Sequence, residues 1–328
     1  MRRRPILAVL LALPLALTAC GGGGSDSAAP APSTPGSAAA PTSTKVTVGV
    51  IPIVDVAPIY LGKEKGFFSS RGIELNLVLA QGGAAIVPAV LSGEYEFGFS
   101  NVTSLLLASG RGLPLKVVAA GNSTTGDPKD DIGALIVPAD SPIKSSADLA
   151  GKTVAINTAK NISDTVVRES ARKAGADPTA IKFTELGFPD MPSAIAAKRV
   201  DAAFVLEPFK SVALKAGARE VAAPYADTSK DLLIAAYFTS QQTLKKDADL
   251  VKRFQAAMNE SLEYAAKNPE EARKALTLYT KIDPALIPEL TLPKWSTDIS
   301  AARMQLLADL ALKDGLVTKA VPVGDLLP

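Results

Sequence analysis

EFGFSNVTSLLLASGRGLPLKVVA, residues 96–119, carries a strand, a helix and a second strand in one run. Residues 96–100 and 115–119 are short, largely apolar segments of strand length, and residues 103–109 between them read as a helix. Strand and helix in alternation is the pattern of an α/β fold with mainly parallel pairing. The same pattern extends upstream, with strands at 46–51 and 74–79 and helices at 58–65 and 84–92. Gly66 and Gly93 stand where these helices should stop, because glycine accepts the left-handed conformation past a helix end. Pro88 is expected to shift the start of its helix or to bend it.

Downstream, after a polar stretch at 121–131, the pattern begins again. Strands are expected at 153–157, 181–186 and 201–206, and helices at 163–174, 191–198 and 208–215. Asp201 against Glu96, Phe204 against Phe99 and Gly217 against Gly112 are each 105 residues apart, and Thr153 lies 106 beyond Thr47. That period is too long for a solenoid. It fits two lobes built on one plan, the alternative being chance similarity among βαβ units.

Two apolar segments, 132–138 and 232–238, fall outside the repeat and read as paired crossovers forming a hinge. The expected organisation is lobe one at 45–135, lobe two at 136–235, and a return to lobe one with C-terminal helices at 236–328. In the tail, Val251, Phe254, Met258, Leu262 and Ala265 share one helical face. Asn268-Pro269-Glu270-Glu271 should open the next helix with Asn268 as its cap. Ile299, Leu306 and Leu310 are expected to line a last helix ending at Gly315.

The N-terminus points outside the cell. Arg2, Arg3 and Arg4 precede a dozen apolar residues, 6–17, a length typical of a signal peptide and short of the roughly 20 a membrane span needs. The run closes on Leu17-Thr18-Ala19-Cys20, like a bacterial lipobox, and Cys20 is the only cysteine. Residues 1–19 therefore read as signal peptide and Cys20 as the lipidation site. Residues 20–44 read as a flexible tether, since 21–44 lack any aromatic or large aliphatic side chain. Loss of residues 1–19 takes three arginines and moves the formal charge from +2 to −1, so nothing recommends nucleic acid as a partner.

The chain contains no histidine, which removes Ser-His-Asp and Cys-His nucleophile systems and histidine metal sites. No metal site is expected. Neither a phosphate-binding Gly-x4-Gly-Lys-Ser/Thr string nor Gly-x-Gly-x-x-Gly after a strand occurs, so no cofactor is expected either.

Ligands of open α/β sheets sit beyond the carboxyl ends of the strands. In lobe one those positions hold Asp55, then Gln81-Gly82-Gly83, then Ser100 to Thr103, then Asn122-Ser123-Thr124. In lobe two they hold Asn157, Asn161 to Asp164, Phe188 with Asp190, and Glu207. Asp55, Gln81, Gly82, Gly83, Ser100, Asn101, Ser123, Asn157, Ser163, Asp164, Phe188, Asp190 and Glu207 are taken from this set as ligand-binding candidates, together with Tyr60. Neutral donors and acceptors dominate, and Lys160 is the one cation, which suits reversible capture of a small polar solute. Gln81-Gly82-Gly83 before a helix either presents free N–H groups to an oxyanion or is a plain strand-to-helix turn. Ser100-Asn101 and Ser163-Asp164 are either helix caps or ligand donors. Glu207 either pairs with a ligand amine or stabilises the helix that follows it.

The body resembles the aliphatic sulfonate, taurine and nitrate branch of the type II periplasmic binding proteins. The resemblance rests on APIYLGKEKGFF at 57–68, GIEL at 72–75, LSGEYEFG at 91–98 and GLPLKVV at 112–118. Lobe two adds DLAGKTVA at 148–155 and VDAAF at 200–204, with Glu207-Pro208. The resemblance implies two α/β lobes joined by two crossover strands and closing on a small-molecule ligand. It implies delivery to the permease of an ABC importer, by a monomer held at the extracytoplasmic face of the membrane through its lipid anchor. It further implies an organosulfonate, taurine-like or nitrate-like solute. A second branch binds thiamine-pyrimidine precursors or related heterocycles, for which Glu207 would meet an aminopyrimidine edge and Tyr60 or Phe188 would stack. The superfamily's enzyme branch relies on a histidine and a cysteine-rich motif that this chain lacks, so no catalytic residue is expected.

Overall fold

The computed structural model describes residues 43–327. The segment read as signal peptide, Cys20 and all but the last two residues of the expected tether lie outside them. Thr44, assigned to the tether, is already the first residue of a strand.

The first lobe runs β1 (Thr44–Val50), α1 (Ala57–Glu64), β2 (Ile73–Leu79), α2 (Gly83–Ser92), β3 (Phe97–Asn101), α3 (Val102–Gly110) and β4 (Leu115–Ser123). The chain then crosses to β5 (Gly133–Val137), β6 (Thr153–Ile156), α4 (Ile162–Lys173), β7 (Lys182–Glu185), α5 (Met191–Ala196), β8 (Ala202–Leu206), α6 (Phe209–Lys215), β9 (Arg219–Ala222) and α7 (Pro224–Thr228). It returns through β10 (Leu233–Ser240) to α8 (Gln241–Lys246), α9 (Ala248–Lys267), α10 (Pro269–Ala275) and α11 (Ala301–Lys313).

Two five-stranded sheets result, ordered β2-β1-β3-β10-β4 and β7-β6-β8-β5-β9. Position by position they are the same sheet. Three parallel strands come first, and the fourth place is filled by an antiparallel strand, β10 in one sheet and β5 in the other. These two strands are the apolar segments that lay outside the sequence repeat, so the chain passes between the sheets twice.

The repeat extends to single hydrogen bonds. Glu96 accepts from Thr47 N at 2.7 Å and its own amide donates to Thr47 O at 3.1 Å. Asp201 accepts from Thr153 N at 2.7 Å and donates to Thr153 O at 3.0 Å. Gly112 and Gly217 also match, both past a helix end at φ of +78° and +92°, where a side chain would be strained.

Local departures from the sequence reading have physical causes. β4 reaches Ser123, not residue 119, because β10 pairs with it as far as Leu233 opposite Ser123. Pro88 lies inside α2 without displacing its start. Pro88 and Ala84 are both exposed, so the carbonyl that proline leaves without its helical donor belongs to a residue on the solvent side of the helix. Asn268 does not cap α10; its amide donates back to Tyr264 O at 2.8 Å. Ile299 precedes α11 and Leu306 is 37% exposed, while Met304, Leu307, Ala308, Leu310 and Ala311 carry its buried face.

The α9 stripe docks where expected, with Val251, Phe254, Met258, Leu262 and Ala265 all buried. Phe254 stacks on Phe97 with centroids 3.8 Å apart and meets Phe68 and Tyr237 at 5.8 and 6.1 Å. The return helix is thus fixed to lobe one through one aromatic cluster.

Candidate functional site

The loops after β2, β3 and β6 meet at the junction of the lobes. Gln81 Nε2 donates to Asn157 O at 3.1 Å, and Asn157 Nδ2 donates to Gln81 O at 3.3 Å. Asn101 Oδ1 caps α3 by accepting from Ser104 N at 2.8 Å and also accepts from Ile162 N, across the junction, at 3.3 Å. Val54 N donates to Glu207 O at 2.9 Å. The lobes are therefore closed on one another through direct polar contacts.

Gly82 is what lets them meet. A Cβ there would stand 2.8 Å from Asn157 Nδ2 and 3.0 Å from Thr158 Cγ2. Gly82→Ala should push the loops apart and lose the reciprocal Gln81–Asn157 pair, at about 1 kcal/mol per bond. Small-angle scattering is expected to show a larger radius of gyration; an unchanged radius means the loops yield locally. Gly83 is held as tightly, its Cβ position lying 2.0 Å from Ser100 Oγ.

Beside this junction lies a set of buried polar atoms with no hydrogen-bond partner: Asp55 Oδ2, both amide atoms of Asn122, Tyr237 Oη and Thr103 Oγ1. Burial pushes the Asp55 carboxyl from 3.8 up to about 7, against the lowering effect of its own backbone and of the Asn122 amide, with Asp131 adding to the rise. The Asn122 amide is thus close to the carboxyl yet not in hydrogen-bonding geometry. Burial raises the Tyr60 phenol to about 12 and pushes those of Tyr225, Tyr237 and Tyr279 well above the ordinary range, and Asp55 acts on each of these three. Tyr60 stacks on Tyr279 with centroids 4.1 Å apart at 18°, and Tyr279 Oη donates to Ile53 O at 3.0 Å. Orphaned buried polar groups are costly and rare in folded proteins. Here Asp55 lies within electrostatic reach of Asn122 and Tyr237, and together with the Tyr60–Tyr279 stack these groups bring together one carboxyl, one amide and aromatic faces.

The other candidates have partners of their own. Glu207 is fully buried and its carboxylate accepts from Ser211 N at 3.2 Å, Ser211 Oγ at 2.9 Å and Thr291 N at 3.4 Å, with Lys210 Nζ at 3.5 Å. It occupies the helix-stabilising alternative. Asp164 is ion-paired with Arg168. Ser163 Oγ donates to Asn157 Oδ1 at 3.2 Å, and Asn161, not Ser163, caps α4. Ser100 Oγ donates to Asn101 O at 3.3 Å, and Ser123 Oγ accepts from Arg303. Asn122 and Thr103 stood at strand ends but were not among the candidates; Tyr237 was passed over inside a hinge strand. A phenol in an otherwise apolar strand that crosses between lobes was the available signal.

Phe188 and Asp190 line a 340 Å³ cavity with Ile51, Pro52, Leu79 and Gln81. It adjoins an 810 Å³ apolar groove that shares Pro52, Leu79 and Pro189 and is closed on one side by Tyr279.

The NMT1/THI5-like family model matches residues 53–272. The riboflavin-binding protein RibY of Chloroflexus aurantiacus is 28% identical over 282 residues, 83% of this chain and 77% of that protein. Among solved structures, the alkanesulfonate-binding protein SsuA of Xanthomonas axonopodis pv. citri, bound to MOPS, superposes with a TM-score of 0.73 at 22% identity. That match covers 89% of this chain and 99% of SsuA. The nitrate-binding protein NrtA of Synechocystis PCC 6803 superposes at 0.74 and 15% identity, over 88% of this chain and 87% of NrtA. The chain belongs to the NMT1/THI5-like family and has the two-lobed periplasmic-binding-protein fold.

Proposed function

We propose that this chain is the extracytoplasmic solute-binding lipoprotein of an ABC importer, that it captures without transforming its solute, and that the solute is a nitrogen heterocycle. The observation that carries the ligand choice is the unpartnered Asp55 carboxyl beside the unpartnered Asn122 amide. A carboxyl accepts from ring or exocyclic N–H groups, and an amide beside it supplies both a donor and an acceptor. Such a pair reads the N–H and C=O edge of a pyrimidine or flavin ring. A sulfonate or nitrate in the same place would face a desolvated acid with no cation among the groups that bear on it. Similarity to a protein named for riboflavin binding supports the same choice. Tyr60 and Tyr279 supply ring faces; Glu207, first chosen for this edge, gives way to Asp55.

The arginines at 2–4, the apolar run at 6–17 and Cys20 support export and a diacylglyceryl anchor. A site formed between two lobes of one chain works as a monomer. Thermal shifts with riboflavin, an aminopyrimidine, taurine, an alkanesulfonate and nitrate test the reading. A ligand at a thousand times its Kd stabilises by about 4 kcal/mol. The heterocycles should give the large shift and remain chemically unchanged; a shift confined to sulfonates reinstates the anion, and turnover of a bound compound makes the chain an enzyme.

A further inference from the structure

The Asp55 carboxyl and the Asn122 amide belong to different elements, and one stretch of the C-terminal region spans them. Asp55 stands in a single 3₁₀ turn, Val54–Val56, which no side chain caps. One such turn closes too few bonds to hold its own shape, and its backbone groups are engaged from elsewhere. Tyr279 Oη donates to Ile53 O at 3.0 Å, Val54 N donates to Glu207 O at 2.9 Å, and Trp295 Nε1 donates to Asp55 O at 3.4 Å. Asn122 lies at the end of β4, where Lys294 extends the pairing by one residue. Ser123 N donates to Lys294 O at 2.9 Å, and Lys294 N donates to Ser123 O at 3.1 Å. Two consecutive residues, Lys294 and Trp295, thus hold the backbone of Asp55 and the backbone beside Asn122.

The same stretch reaches the second lobe. Thr291 N donates to the Glu207 carboxylate at 3.4 Å, Lys210 Nζ donates to Thr291 Oγ1 at 3.3 Å, and Thr291 Oγ1 donates to Asp130 Oδ1 at 2.6 Å. Lys294 is exposed while Pro293 and Trp295 are buried, so the segment brings its main chain and one indole to the site. A tryptophan N–H can only donate. Here it goes to the main chain of the acid and leaves Asp55 Oδ2 without a partner. We infer that Trp295 is a positioning residue for the solute: with Lys294 it fixes the Asp55 carboxyl and the Asn122 amide in register with one another, and Thr291 ties that register to the second lobe. This rests on the reading of Asp55 and Asn122 as the solute's partners, and adds what holds them in place.

The chain has one tryptophan, so production on 3-benzothienylalanine exchanges Trp295 alone for an isostere in which sulfur replaces the indole N–H. Calorimetry with 2,4-diaminopyrimidine should then show Kd raised roughly fivefold, the worth of one neutral hydrogen bond, at a nearly unchanged melting temperature. Trp295→Phe should weaken binding at least as much. Thr291→Val keeps the side chain's shape, loses the Oγ1 contacts to Asp130 and Lys210, and should weaken binding too. Unchanged affinity in the isostere protein overturns the inference, as does a lowered melting temperature with intact affinity in Trp295→Phe, the mark of a merely structural residue. Wild-type affinity in Thr291→Val overturns the tie to the second lobe. A readout without solute separates this from the ligand choice. The indole N–H gives a single cross-peak in nitrogen–proton correlation NMR of the empty protein, which should move in Asp55→Asn and in Thr291→Val. Should 2,4-diaminopyrimidine fail to bind the wild type, a cross-peak that moves supports the positioning role and sinks the heterocycle reading, whereas one that stays put in both variants sinks the positioning role.

Discussion

Asp55→Asn should make the empty protein more stable at pH 8 and leave it a poor binder. The folded-state pKa of about 7 lies above the ordinary 3.8, so between those values the folded chain holds a proton that the unfolded chain has released. Stability from this group is therefore intact below 3.8, falls as pH rises toward 7, and levels off beyond it. The full span corresponds to about 4 kcal/mol at 1.36 kcal/mol per unit. Asparagine removes that cost, and the melting temperature at pH 8 should rise by roughly 5–10 °C. Binding moves the other way. A hydrogen bond to a charged group contributes about 1.5–3 kcal/mol, so the heterocycle's affinity should fall roughly 10- to 150-fold. Melting curves from pH 4 to 8 for both proteins separate the two effects. A wild type whose stability does not fall over that range would mean that Asp55 is not an isolated acid, and the ligand assignment would lose its basis.

The largest expected loss of stability is at Phe254. Its ring stacks on Phe97 at an interplanar angle of 6° and is fully buried. Phe254→Ala removes that stack and leaves a cavity between α9 and the first sheet, at about 3–5 kcal/mol. Urea unfolding should show the midpoint shift at unchanged slope. Tyr237 touches the same ring edge-on, so solute affinity should weaken too, whereas a loss under 1 kcal/mol would mean that the aromatic cluster does not hold the return helix.

The two-lobed plan was legible because alternation of strand and helix is a local property, and because Glu96 and Asp201 do the same local work for Thr47 and Thr153. The two crossover strands were legible as apolar runs without a counterpart. The polar cluster was less so. Asn122 belongs to a strand end created by pairing with β10, more than a hundred residues away, and no local pattern marks how far β4 extends. Asp55, by contrast, stood at an expected strand end, but only burial distinguishes it from a solvated loop acid. For Glu207 and Asp164 the sequence did hold a warning. Ser211 and Arg168 follow them at i+4, the spacing of neighbours on a helix, and both acids are tied to those neighbours.

The two inserted strands also set the order in which the molecule can be built. β5 through β9 are contiguous in the chain, so the second sheet contains everything it needs once residue 222 is made. The first sheet does not. β3 and β4 do not pair with each other; β10, residues 233–240, lies between them and pairs with both. The N-terminal lobe must therefore wait, with an open gap in its middle, for a strand encoded beyond the whole of the other lobe. Such long-range closure is slow. On the export route proposed above, a lobe unable to complete itself during synthesis is an advantage, since it stays passable until its last strand arrives on the far side.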